Sequence, residues 1–204
     1  IIEIQEQLSD ISTEILIKLS PLIDIQHLVS SLQNIYKIWI IAVKNEVKEV
    51  LVYLKKTENQ PDISCINLQS SEPEFHFNLD DEKYCQSELS FPKKYIYIPN
   101  NSVLKSGAFN LVSEKFGLRK LHQNTHIYTS EEKIEHFPGR IFETEEINSK
   151  AIKKGEQFNI ITKNFPLKPE EIKKKYKIKD GGNQYLIAVK SLSGNHFLVG
   201  KLLD

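Results

Sequence analysis

The segment IYKIWIIAVKNEVKEVLVYLKK, Ile35–Lys56, holds two β-branched runs that meet at Lys44-Asn45. Asn tolerates the left-handed backbone that a two-residue hairpin turn needs, so the segment reads as two strands and a tight turn. The first run is far shorter than the ~20 apolar residues of a membrane span and has the length of a buried strand. Ahead of it, EILIKLS (Glu14–Ser20) reads as a buried parallel strand. Pro21 ends that strand, and Asp24 is placed to cap a helix over IQHLVSSL. At the start, Ile1, Ile4, Leu8 and Ile11 recur at helical spacing. One parallel strand plus a hairpin buries too little to stand alone. Residues 1–56 are therefore expected to be the last part of a larger open sheet, a truncated Rossmann-like domain.

Beyond Thr57 the pattern changes. ISCINL (Ile63–Leu68) and EFHFNL (Glu74–Leu79) alternate like half-exposed strands, and the acids near Asp80 read as a turn or helix start. YIYIP is a strand ending at Pro99. NNSVLKSGAFNLVSEKFG reads as one helix, capped by Asn101 or Ser102 and stopped by Gly117, and LRKLHQNTHIYTS returns to strand. From Gly139 the predicted order is β-α-β-α-β-β. GRIFETEEI is a strand, INSKAIKKG a short helix, FNIITKNF a strand and PLKPEEIKKKYKI a helix with Pro169 in its first turn. Asp180-Gly181-Gly182 is expected as a turn before NQYLIAVK, and Ser193-Gly194-Asn195 as the hairpin to HFLVGKLL.

Net charge is zero, but its halves differ: residues 1–92 carry 7 Lys against 15 acids, and residues 93–204 carry 20 Lys plus Arg against 12. A basic half points to a polyanion, unless the lysines only solvate the surface. Two Cys without metal spacing suit a reduced, cytoplasmic compartment, and no secretory leader pattern occurs. Met is absent and the chain opens on Ile1, so it is expected to be a piece of a longer protein.

The chain has 25 Lys but only two Arg, Arg119 and Arg140, in or beside a segment that also holds His122, His126 and His136. His122-x-x-x-His126 has the spacing of two zinc ligands on a helix, but the local sequence favours a strand, no Cys is near and Glu131 is the only adjacent carboxylate, so no metal site is expected. No catalytic nucleophile–base pair, GxGxxG or phosphate loop emerges. Lys18, Ser20 and Asp24 lie at or just after the end of the EILIKLS strand, where open α/β sheets place ligands, and are candidates to face a cleft; helix capping is the alternative for Asp24. Arg119, Lys120, Arg140, Lys163, Asn164, Lys168, Lys173 and Lys174 are candidate RNA contacts, combining cation, amide and the neighbouring Phe165. The alternative is that Phe165 is core and the lysines answer a helix dipole.

Seven phrases occur in order: KLSPLID (Lys18–Asp24), NEVKEVL (Asn45–Leu51), VLKSGAF (Val103–Phe109), KLHQNTHIYTS (Lys120–Ser130), FPGRIF (Phe137–Phe142), TKNFPL (Thr162–Leu167) and IKDGGNQYL (Ile178–Leu186). Together they resemble the C-terminal portion of a bacterial family of class I S-adenosylmethionine-dependent methyltransferases. The resemblance implies an α/β plus α+β fold in three parts: residues 1–56 from the Rossmann-like methyltransferase sheet, 57–136 a ferredoxin-like domain, and 137–204 a THUMP-like domain. It further implies that the S-adenosylmethionine loop and catalytic motif lie upstream, on the protein's own N-terminal methyltransferase domain. This chain would then hold no catalytic or cofactor-binding residue, and RNA would be the partner, THUMP domains being RNA binders. Two positions depart from the family pattern: Val47 stands in place of Cys, and Lys163 in place of an Arg, which keeps charge but loses the bidentate fork. A non-catalytic interaction or scaffold module is the competing reading. On the family reading, Leu121–Phe142 spans the junction of the last two domains.

Overall fold

The computed structural model describes residues 4–203; Ile1 of the first apolar stripe lies outside them. The chain divides into two compact units, residues 1–85 with 100–111, and residues 86–99 with 112–204.

The first unit is built on a five-stranded mixed sheet. Its strands are β1 (Glu14–Leu19), β2 (Ile35–Val43), β3 (Glu46–Lys55), β4 (Asp62–Leu68) and β5 (Phe75–Asn78), in the order β1-β3-β2-β4-β5. Lys44 and Asn45 both take positive φ, 49° and 65°, as the hairpin turn requires. β2 and β4 run parallel, and the other pairs are antiparallel. Ile38, Ile40, Ala42, Val50, Val52 and Ile63 have no exposed surface. Helix α1 (Gln5–Ile11) precedes the sheet, and α2 (Ile25–Ser31) follows β1, burying Ile25 and Leu28.

Two expectations change here. β1 is antiparallel to its neighbour β3 and alternates between half-buried and exposed, with Leu16 well exposed. A short apolar run is ambiguous between a buried parallel strand and such a half-covered one, because periodicity cannot separate them. The boundary expected at residues 56/57 does not fall at the edge of the sheet either. β4 extends it by pairing with β2, and β5 extends it further.

The predicted helix at residues 100–117 is two helices, α4 (Asn101–Ser106) and α5 (Phe109–Lys115), broken at Gly107 with φ 81°. Its cap is Asn100, one residue earlier than expected, whose side chain accepts from the Val103 N–H at 3.1 Å. α4 packs on β2, β3 and β4. Beneath it lies Cys65, whose thiol burial pushes up to about 12 against a hydrogen bond with Ser106, which makes it a packing group. The four-residue helix α3 (Asp81–Tyr84) stands where the acids near Asp80 announced a turn or helix start.

The second unit is a single seven-stranded sheet. Its strands are β6 (Tyr95–Pro99), β7 (Arg119–His122), β8 (Thr125–Ser130), β9 (Gly139–Ile147), β10 (Gln157–Lys163), β11 (Lys179–Ser191) and β12 (Gly194–Leu203), in the order β10-β11-β12-β9-β6-β8-β7. The expected β-α-β-α-β-β order is present. Its first helix is only a 3-10 turn, Ser149–Ala151, capped by Asn148, and its second is α6 (Pro169–Tyr176). Asp180-Gly181-Gly182 lies inside β11 rather than before it, as a bulge against β10 where the register jumps from Asp180 to Tyr185. The glycines allow it, with φ of 102° and 83°.

One face of this sheet gathers Ile96, Ile98, Leu121, Ile127, Phe142, Ile187, Val189 and Leu198, drawn from six strands. The other is covered by α6 and the 3-10 turn over Ile152, Phe158, Ile172, Leu186 and Ala188. The sheet curls, so that β10 at one end meets β8 near the other. β9 joins the two halves, pairing with β6 on one side and β12 on the other. Residues 57–136 therefore do not form a separate unit: β4 and β5 belong to the first sheet, and β6 to β8 to the second.

Candidate nucleic-acid interface

The curl of the second sheet assembles the site. Asn164 ends β10 in left-handed backbone, φ 50°, which Asn accepts more readily than most residues. Its side-chain amide donates to Thr125 Oγ1 at 3.0 Å and lies 3.5 Å from His122 Nδ1. His122 Nδ1 in turn accepts from the Asn124 N–H at 3.1 Å. Lys120 is almost fully buried and donates through Nζ to the Gln123 carbonyl at 3.1 Å. His126, half-buried, feels both Lys120 and Lys163. Burial first, and then those two positive charges, push its imidazole down to about 4, so it is neutral at pH 7. Two lysines, two imidazoles and an amide thus share the seam where the sheet's ends meet.

The remaining candidates are placed differently. Arg119 pairs with Glu88 at 3.0 Å. The Arg140 guanidinium stands 5.6 Å over the Phe142 ring. Lys173 is held by Glu170 at 3.0 Å and Asp180 at 3.2 Å. Among the described residues no ion pair involves Lys163, Lys168 or Lys174, and all three side chains are exposed. His136 is also exposed, in positive-φ backbone. Phe165 packs edge-on against Phe197, 5.1 Å between centroids, and belongs to the core.

In the first unit, Asp24 accepts from the His27 N–H at 2.8 Å and caps α2. Ser20 Oγ accepts from the Leu22 N–H, and Lys18 lies 3.6 Å from Glu49. All three have local partners that account for them.

Sequence reading missed two groupings. The meeting of His122 with Asn164 spans 42 residues and depends on the curl. The second is a hydrogen-bonded chain of Ser191, Ser193, His196 and Glu146. The Ser-x-Ser-x-x-His spacing across a hairpin was the available signal. Among the described residues no three His, Cys, Asp or Glu side chains are grouped to hold a metal ion. No helix among them is long and apolar enough to cross a membrane.

Residues 95–138 match a ferredoxin-like domain family, and residues 139–200 match a THUMP domain-like family. The boundary between them, 138/139, falls just ahead of β9, inside the continuous seven-stranded sheet. No curated protein matches the chain. A solved crystal structure, that of a "putative methyltransferase from Porphyromonas gingivalis W83", superposes with a TM-score of 0.85 at 32% identity over 98% of this chain. The chain spans 54% of that protein's length. It is thus similar, over nearly its whole length, to about half of that protein, and carries a ferredoxin-like and a THUMP-like segment in one sheet.

Proposed function

We propose that this chain is the substrate-positioning part of a cytoplasmic, S-adenosylmethionine-dependent, RNA-directed methyltransferase, and that the seam of its second sheet contacts RNA phosphate. The observation that carries the reading is the exposed Lys163, in no ion pair among the described residues, next to Asn164, whose amide reaches Thr125 and His122 at the seam. A cation beside a free amide edge suits a phosphate and the ribose or base next to it. Lys168, at the N-cap of α6, and Lys174 on α6 are further exposed cations of this unit, while Lys173 is held by its acids. Support for the methyltransferase comes from the Porphyromonas protein and from the first sheet. There β1 and β2 both run antiparallel to β3, and so parallel to each other, as in the margin of a Rossmann-like sheet. The cofactor and the catalytic groups belong, on this reading, to a preceding methyltransferase domain.

The test is binding of a structured RNA, followed by fluorescence anisotropy at two salt concentrations. Replacing Lys163, Lys168 and Lys174 by Ala is expected to flatten the slope of log affinity against log salt by roughly 0.7–0.9 for each phosphate no longer neutralised. Binding with an unchanged slope in the triple variant would leave the interaction-module reading in its place.

A further inference from the structure

His196, Glu146, Ser191 and Ser193 sit at the β11–β12 hairpin. His196 Nδ1 lies 2.6 Å from Glu146 Oε1. His196 Nε2 lies 2.7 Å from Ser191 Oγ and 3.0 Å from Ser193 Oγ. The two hydroxyls are 3.2 Å apart, and the Ser193 N–H donates to Ser191 Oγ at 3.3 Å. An ionised carboxylate only accepts, so Glu146 holds the proton on Nδ1 and leaves the Nε2 lone pair facing the hydroxyls.

Strand register explains the convergence. Val189 pairs with His196, and Leu198 pairs with Glu146. With a two-residue period, Ser191, His196 and Glu146 share the face of Val189 and Leu198, at the end of the first core cluster. Ser191 is buried, with 1% of its surface exposed, whereas Ser193 stands exposed in the turn. Two adjacent strands and the hairpin turn therefore present a carboxylate, an imidazole and a reachable hydroxyl in the order a nucleophilic serine needs.

We propose that Ser193 is a nucleophilic serine that takes an acyl group from small activated carboxylic esters, with His196 as its base and Glu146 as a positioning residue. Ser193 Oγ attacks the ester carbonyl carbon while its proton passes to His196 Nε2. The tetrahedral adduct collapses, the bond to the leaving oxygen breaks, and that oxygen takes the proton from Nε2, leaving O-acyl-Ser193 and the free alcohol. Water, deprotonated by the same nitrogen, then attacks the acyl carbon; the acyl–Oγ bond breaks, Ser193 Oγ takes the proton back from Nε2, and the carboxylic acid is released. The hairpin is open, and the exposed Leu192 beside Ser193 offers apolar surface for a short acyl chain.

The experiment treats the chain with a fluorophosphonate probe and with p-nitrophenyl acetate, then locates the adduct by peptide mass mapping. The adduct is expected on Ser193, absent from Ser193→Ala, and formed about 10²-fold more slowly or worse in His196→Gln. Glu146→Gln is expected to slow labelling without moving the thermal melt, which a purely structural contact would not do. No adduct on the parent chain, an adduct on another residue, or an unchanged rate in His196→Gln would overturn the assignment. If His196→Gln fails to fold, the parent's peptide map and the rate in Glu146→Gln decide it.

Discussion

At the scale of single residues, the seam is defined by which polar groups lose their water. His126 is the clearest case. Its imidazole is lowered to about 4 from an ordinary 6.5, by burial and by Lys120 and Lys163. The unfolded chain therefore binds this proton at a higher pH than the folded one. Above about pH 6.5 the ring is neutral in both states and costs nothing. As pH falls from there toward 4 the unfolded state alone is protonated, and stability declines; below 4 the decline is complete and constant. The expected decline is on the order of 1–2 kcal/mol, discounted because a half-buried ring stays partly screened by water. Urea unfolding at a series of pH values should show it, and His126→Asn should flatten it. An identical profile in the variant would mean that other groups carry the acid sensitivity.

At the scale of elements, polar side chains pin the turns of the first unit to its helix. Glu72 Oε2 accepts from the Asn67 side chain at 2.7 Å and from the Asn100 side chain at 2.9 Å. Asn67 Oδ1 accepts from the N–H of Asn45, in the β2–β3 turn. Asn45 in turn accepts from the Asn101 N–H at 2.7 Å, at the start of α4. One carboxylate thus ties the end of β4 to the cap of α4, and through Asn67 to the hairpin. Glu72→Ala leaves two amide donors without their acceptor and is expected to cost about 1–3 kcal/mol, read from the denaturant midpoint. A variant as stable as the parent would show that solvent replaces the carboxylate. The hairpin itself was legible, because Lys44-Asn45 between β-branched runs has few other readings. The break at Gly107 was not: helical spacing continues across it, and the left-handed backbone of Gly107, φ 81°, ends the first helix there.

At the scale of the whole molecule, the division into two units does not follow the chain's order. Residues 100–111 leave the second unit's β6, pack in the first unit as α4 and the start of α5, and return. No single cut separates the units. A chain truncated to residues 57–204 would keep β4, β5 and α4 but lose β2, the parallel partner of β4. Ile63, Cys65 and the buried face of α4 would then be left without the strands that cover them. Such a fragment is expected to show weak near-UV dichroism and poor amide dispersion for residues 60–80 and 100–111. A well-dispersed spectrum there would mean that those residues fold without the first three strands. The charge asymmetry follows the units as well: the second carries 19 Lys plus Arg against 13 acids. That is the imbalance the proposed RNA surface draws on.

The sequence by itself determined the elements whose signals are local. These are the turn at Lys44-Asn45, the strands with β-branched runs, Pro169 opening α6, and the β-α-β-α-β-β order after Gly139, since each depends on neighbours within a few residues. It also carried the likeness to ferredoxin-like and THUMP-like segments and to a methyltransferase. Only the tertiary structure decided how far each sheet extends, because strand pairing is a contest among distant segments that the two-residue period does not resolve. It placed β4 and β5 with the first sheet and fused the two family segments through β9. It curled the second sheet until Asn164 reached Thr125 and His122. The same pairing set Glu146 beside His196 across 50 residues, a meeting that no local pattern announces. Side chains converge on a site through the geometry of pairing and curvature, and that geometry is a property of the folded chain.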